Sequence, residues 1–177
     1  MTINGSGTIT GLSAGGLPDA TIVQADLAAN VAGTGPAFHV YNNGAQSISN
    51  GTITKLIFPS EGFDTNNNFD NVTNYRFTPT VAGYYQFFGQ VTFGTPNGTN
   101  SFINAMIYKN GSAWFQSAST QPVNGNYASA YCSGLIYCNG STDYVEFYTL
   151  HDNFTVNPQV TIPSAWTYFS GFMARAA

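Results

Sequence analysis

Charge is what this sequence has least of. Of 177 residues only four are Lys or Arg and eight are Asp or Glu, 7% in all, against about 25% in an average soluble domain. The surface must therefore be covered by Asn, Thr, Ser, Gln and Gly, which suits a β-rich protein that spends much of its area on partner subunits. The cations Lys55, Arg76, Lys109 and Arg175 are scattered and the net charge is −4. Nucleic acid, whose binding needs clustered Lys or Arg to displace counterions, is excluded as a partner. No apolar run reaches the ~20 residues of a spanning helix, so no membrane insertion is expected. Residues 1–5 (Met-Thr-Ile-Asn-Gly) lack the basic start and apolar stretch of an export signal, so none is expected.

Histidine and cysteine are almost as scarce, two of each. Cys132 and Cys138 are six residues apart, roughly 20 Å if the run is one extended strand, whereas a disulfide needs Cα atoms within about 7 Å. They read as free, buried, small hydrophobes. His39 alternates with Phe38 and Val40, which predicts a strand-face histidine held by a hydrogen bond. His151 stands beside Asp152, which predicts a solvent-side pair. Neither histidine lies in a nucleophile motif, and Asp143 and Glu146 differ in strand parity, so they form no evident glycosidase pair. Enzymatic activity is not expected.

What the chain has in quantity is aromatic and turn-forming residues. Aromatics make up 15% and hydrophobics 43%, enough for one self-sufficient core. Residues 1–36 stand apart: Gly/Ser/Thr-rich up to Pro18-Asp19, then Ile22, Val23, Leu27 and Val31 near helical spacing, with Asp19 as N-cap and Gly33 as stop. A three-turn helix is marginal alone and must pack on something. From Ala37 onward short aromatic and β-branched runs alternate with Asn-Gly turns, the residues that supply positive φ in tight hairpins. The pattern predicts strands at 37–42, 52–58, 75–77, 83–93, 101–109, 112–118, 127–138, 143–151 and 168–174, hence an all-β sandwich or jelly roll.

Phe63-Asp64, Phe77-Thr-Pro79, Gly83-Tyr-Tyr-Gln-Phe87, Tyr108-Lys-Asn-Gly111 and Tyr168-Phe-Ser-Gly-Phe172, in that order, resemble the signature of the complement one-q globular head. The resemblance covers about residues 37–177. It departs at Phe63–Tyr75, where an Asn-rich insertion replaces a short loop, and no collagen repeat precedes the domain. It implies a ten-strand jelly roll, shared with tumour necrosis factor, that assembles as a homotrimer. The residues fit that expectation, because strands with large rings on both faces need cover on the second face. Tyr85, Phe87, Phe147, Tyr168 and Phe172 are the interface candidates. The alternative is a thick monomeric core with loops over the second face.

Gly7-Thr-Ile-Thr-Gly-Leu and Gly15-Gly-Leu-Pro-Asp-Ala resemble stretches near the starts of bacteriophage tail-fibre and virion proteins that carry such tips. This implies a virion location, with residues 1–36 anchoring the trimer on a tail adaptor or capsid protein. Ile9, Leu12, Leu17, Ile22, Val23 and Leu27 are the anchor candidates. Residues 37–177 then form the tip, with Asn97, Asn110, Trp114, Asn124 and Tyr127 as candidate contacts to a host cell-surface glycan or protein. A head decoration protein that stabilises the capsid, and a secreted lectin-like module, are the alternatives. Asp64-x-Asn66-x-Asn68-x-Asp70 places oxygens at alternate positions, as a calcium loop would. Phe69 and Tyr75 stand where that loop needs Gly and Glu, and Asn and Asp are ordinary turn residues. The sequence predicts a plain Asx-rich loop and no cofactor, a structural calcium being the alternative.

Overall fold

The computed structural model describes residues 35–94, 101–118, 127–153, 159–160 and 166–177. In chain order the strands are β1 (Ala37–Tyr41), β2 (Gln46–Ser47), β3 (Thr54–Lys55), β4 (Ser60–Asp64), β5 (Phe69–Asp70), β6 (Arg76–Phe77) and β7 (Ala82–Phe93). Then come β8 (Phe102–Lys109), β9 (Ser112–Gln116), β10 (Ala128–Asn139), β11 (Val145–Asp152), β12 (Gln159–Val160) and β13 (Tyr168–Ala176). There is no helix among the described residues. The helix predicted in residues 1–36 lies outside them.

Two antiparallel sheets face each other. The larger runs β10–β7–β13–β1–β4, with β12 joining β7 at Phe93 and β2 pairing β12. The smaller runs β5–β6–β11–β8–β9, with β3 also on β11. Alternation decides which side chains fill the space between. In β7 the odd residues Tyr85, Phe87, Val91 and Phe93 are fully buried, joined by Phe38 and Val40 of β1, Phe147 of β11 and Phe169 of β13. Each buried aromatic contributes about 2–3 kcal/mol of transfer free energy, and the rings stack at centroid distances such as 4.4 Å for Phe38–Phe77 and 5.4 Å for Phe147–Phe169.

The Asn110-Gly111 hairpin closes β8 on β9 with both residues at positive φ, 52° and 77°, as the sequence predicts. Cys132 and Cys138 are free and buried on the inner face of β10, and burial pushes the Cys138 thiol up to about 12.

Three expectations change. The strand expected at 52–58 shrinks to Thr54–Lys55 because a side chain replaces the ladder: Gln46 accepts from the Ile57 amide and donates to the Lys55 carbonyl. β4, rich in residues disfavoured in strands, forms as an edge strand against β1. His151 shares parity with Phe147 and Thr149 and is fully buried, not on the solvent side.

The buried histidine has a consequence for stability. His151 Nε2–H donates to the Ile48 carbonyl at 2.8 Å, and burial lowers its pKa from 6.5. The unfolded chain therefore takes up a proton more readily than the fold. The contribution of neutral His151 is complete above about pH 6.5 and is lost as pH falls below it. The urea midpoint should hold from pH 8 to 7 and drop between pH 6.5 and 5. His151→Gln should lower the midpoint throughout but flatten that drop. An unchanged slope in His151→Gln would remove His151 as its source.

Candidate interaction surface

The outer face of the larger sheet is built by the residues that alternate with the core. From β7 come Tyr84, Gln86, Phe88, Gln90 and Thr92; from β10, Tyr131, Ser133, Leu135 and Tyr137; from β13, Tyr168, Ser170 and Phe172; from β1, His39 and Tyr41. Cross-strand register aligns them into rows: Tyr137 beside Tyr84; Leu135, Gln86 and Phe172; Ser133, Phe88, Ser170, His39 and Phe63; Tyr131, Gln90, Tyr168 and Tyr41.

Tyr131 is 75% exposed, Phe172 46%, Tyr84 43% and Phe88 42%. Rings pair across strands, Tyr84 with Tyr137 at 5.5 Å and Phe88 with Phe172 at 6.3 Å. A contiguous apolar surface of this kind marks an interaction site. Near its centre the His39 Nδ1 and Ser170 Oγ share a 2.7 Å hydrogen bond, and the His39 ring lies 5.8 Å from Tyr168 and 6.1 Å from Phe63. That matches the strand-face histidine expected from the sequence.

Of the five interface candidates, Tyr85, Phe87 and Phe147 are core residues, fully shut in between the sheets. The aromatic pairs were read to the wrong face there. Tyr168 and Phe172 do lie on the outer face. Tyr84, Phe88, Tyr131, Leu135 and Tyr137 were missed. Parity was the available signal, because Gln86, Gln90 and Thr92 share it with Tyr84 and Phe88.

The ends of the sandwich separate the remaining candidates. Residue 36 enters beside the C-terminus, where the Met173 amide donates to the Pro36 carbonyl at 3.0 Å. Asn110 belongs to that same end: its side chain bridges Asp143 Oδ1 at 2.7 Å and the Tyr144 amide at 2.9 Å, so it ties two turns together. Trp114, on edge strand β9, is 54% exposed with Lys109 Nζ 5.4 Å above its ring. It is a surface residue, not a core one. Lys109 itself pairs with Asp143 at 2.9 Å.

Tyr127 lies at the opposite end, exposed and edge-on to Trp166 at 4.8 Å. There the Thr92 hydroxyl bonds the Ser129 hydroxyl and the Trp166 carbonyl, bracing the start of β13. Asn97 and Asn124, and the anchor candidates Ile9, Leu12, Leu17, Ile22, Val23 and Leu27, lie outside the described residues.

The oxygens of the Asx-rich loop are taken up by the loop's own amides and hydroxyls. Asp64 accepts from the Asn66 and Phe69 amides, and Asn68 Oδ1 accepts from the Thr80 amide. Asn66 Oδ1 accepts from the Thr65 hydroxyl. Asp70 accepts from the amides of Val72, Thr73 and Asn74 and from the Asn74 side chain, bonds that hold its carboxyl near 2. Asp64 and Asp70 therefore cap turns, and no group of three or more His, Cys, Asp or Glu among the described residues could hold a metal ion.

Gly11-Leu12-Ser13-Ala14-Gly15 has the spacing of a nucleophile elbow. That elbow is built on a strand-turn-helix of an α/β sheet, and the run lies outside the described residues.

No protein-family model matches the sequence, and no curated protein sequence does. Solved structures do match in fold. The globular domain of zebrafish complement 1qA protein superposes with a TM-score of 0.59 at 16% identity, over 80% of this chain and 98% of that one. Murine APRIL gives 0.57 at 12% identity, covering 78% and 98%. Eiger TNF from S. frugiperda gives 0.52 at 9% identity, covering 80% and 92%. With its two antiparallel sheets and aromatic core, the chain has the jelly-roll fold that complement one-q and tumour necrosis factor domains share.

Proposed function

We propose that the chain is a trimeric virion protein of a tailed bacteriophage, a tail fibre or adhesin without enzymatic activity. The observation that carries the trimer is the uncovered aromatic face of the larger sheet, where Tyr84, Phe88, Tyr131 and Phe172 stand in water in the single chain. Packing three such faces around an axis gives them the cover that no other segment of the described chain provides. Layout supports the fibre reading. Residues 1–36 lead into one end of the sandwich, where they dock on a tail or capsid protein. Tyr127 and Trp166 sit at the other end, facing the host surface with three tips per particle fibre, so weak contacts add through avidity. The low charge and the phage-like Gly/Thr motifs near the start favour the same reading.

Light scattering on the full chain should give three times 18.9 kDa, and a monomer at micromolar concentration would remove the trimer and the fibre with it. Gold-labelled antibody should then mark tail tips on purified particles; label confined to the head would make the chain a decoration protein instead.

A further inference from the structure

A polar cleft of about 460 Å³ opens beside the β5–β6 pair, in the smaller sheet and not on the aromatic face. Arg76, Asp70, Asn67, Asn71 and Thr78 are among the residues that line it. Asp70 stands opposite Arg76 in the strand register, yet its carboxylate is spent on the Val72, Thr73 and Asn74 amides at 2.8–3.1 Å. The ion pairs among the described residues are Lys55–Glu146 and Lys109–Asp143, so no carboxylate there pairs with Arg76. Its guanidinium instead lies 4.4 Å over the Tyr144 ring. Stacking on a ring face orients a guanidinium and leaves the N–H fork at its edge unspent.

The backbone around the cleft is strained. Asn67 and Tyr75 have φ of 52° and 48°, and positive φ is an outlier for a residue as bulky as Tyr. Lys55 holds the corner before Tyr75, its Nζ donating to the Asn74 carbonyl at 2.8 Å and to Glu146 at 3.0 Å. Strain retained by the surrounding structure concentrates at ligand clamps, and here it sets the residue that precedes Arg76.

We propose that this cleft binds an acidic saccharide of the uronate type. Arg76 takes the planar carboxylate through two parallel N–H···O bonds, the geometry for which a guanidinium is matched. Asn67, Asn71 and Thr78 supply neutral donors and acceptors to ring hydroxyls. A single fork, with the Asp70 carboxylate beside it and a wall of amides and hydroxyls, fits a singly charged, hydroxyl-rich ligand better than a phosphate, which draws clustered cations and whose second charge Asp70 would repel. This site is independent of the trimer and of the Tyr127 end.

Amide NMR titration of the full chain with D-glucuronate, D-glucose and inorganic phosphate tests it. D-glucuronate should shift the Asn71 and Thr78 amides and saturate. D-glucose and the Arg76→Gln variant with D-glucuronate should each bind at least ~10-fold more weakly, as loss of a charge-assisted hydrogen bond implies. Should Arg76→Gln lower the melting temperature, Thr78→Val gives the same reading with the stack intact, and a several-fold weakening is expected. Equal binding of glucuronate and glucose overturns the site, as does wild-type affinity in both variants. Phosphate binding tighter than glucuronate overturns the saccharide.

Discussion

In the trimer proposed above, Phe172→Asp should leave a monomer with the fold intact. Phe172 lies on β13, flanked by β7 and β1, and its register neighbours are Gln86 and Ala37. In the single chain its ring is 46% exposed and touches Phe88 at the edge of stacking range. An Asp there costs the isolated fold little, because the carboxylate stays in water. Assembly changes that balance. Three carboxylates would be drawn out of water near one axis, where Arg175, in register with Tyr84 at the edge of this face, is the nearest cation along the strand, and a buried charge left without a partner costs several kcal/mol. Loss of the aromatic contact adds on the order of 2 kcal/mol at a central interface residue, about 30-fold in affinity.

Light scattering should fall from three times 18.9 kDa to one, with far-UV circular dichroism unchanged. Dissociation should also make the wild-type melting temperature depend on protein concentration and that of the variant independent of it. Ser112→Asp, at the exposed first residue of edge strand β9 in the other sheet, is the control and should stay trimeric. Retention of the trimer in Phe172→Asp would move the interface to another face.

The jelly roll was legible because β7 and β10 carry the period-2 pattern through most of their length. β7, β10 and β13 were read to within two residues at each end, and the Asn-Gly turn at 110–111 fell where its φ requires. Short pieces were not legible. β2 and β5 are two residues each: β2 is held by β12, far along the chain, and β5 by β6 across the irregular turn at Asn71–Tyr75, so neither is long enough to show a period. The candidate surface was half legible for a different reason. Tyr84-Tyr85 and Phe87-Phe88 place a ring on each face, so hydrophobicity alone gives no parity. The tie is broken by the intervening Gln86 and Gln90, which need water or a polar interface, and by Gly83 and Gly89, which share parity with the core rings. His151 was misplaced because a neighbouring carboxylate outweighed its parity with Phe147. The cleft at Arg76 had no sequence signal: it depends on Asp70 being spent on backbone amides, which only the folded loop reveals.

Gly89 is where that parity matters most, and Gly89→Ala should be strongly destabilising. Gly89 is central in β7, with β10 on one side and β13 on the other. A Cβ added there would lie 2.4 Å from Cε2 and 2.5 Å from Cζ of Phe147. The ring cannot step aside, since it stacks on Phe169 at 5.4 Å and neighbours Phe58 at 6.3 Å, both fully buried. The glycine is therefore the socket that lets the facing sheet insert a phenylalanine. Overpacking of this kind costs about 3 kcal/mol, roughly 6–12 °C in Tm for a chain of this size.

The socket predicts a specific rescue. Phe147→Leu alone leaves a void and destabilises by about 1–2 kcal/mol, but it also vacates the space that the new methyl needs. The double variant Gly89→Ala/Phe147→Leu should therefore be more stable than Gly89→Ala, with a coupling well above the ~0.5 kcal/mol expected of independent sites. Urea denaturation of the four proteins in the cycle measures it directly. Simple additivity would mean that the glycine is needed for its backbone and not for the ring it admits.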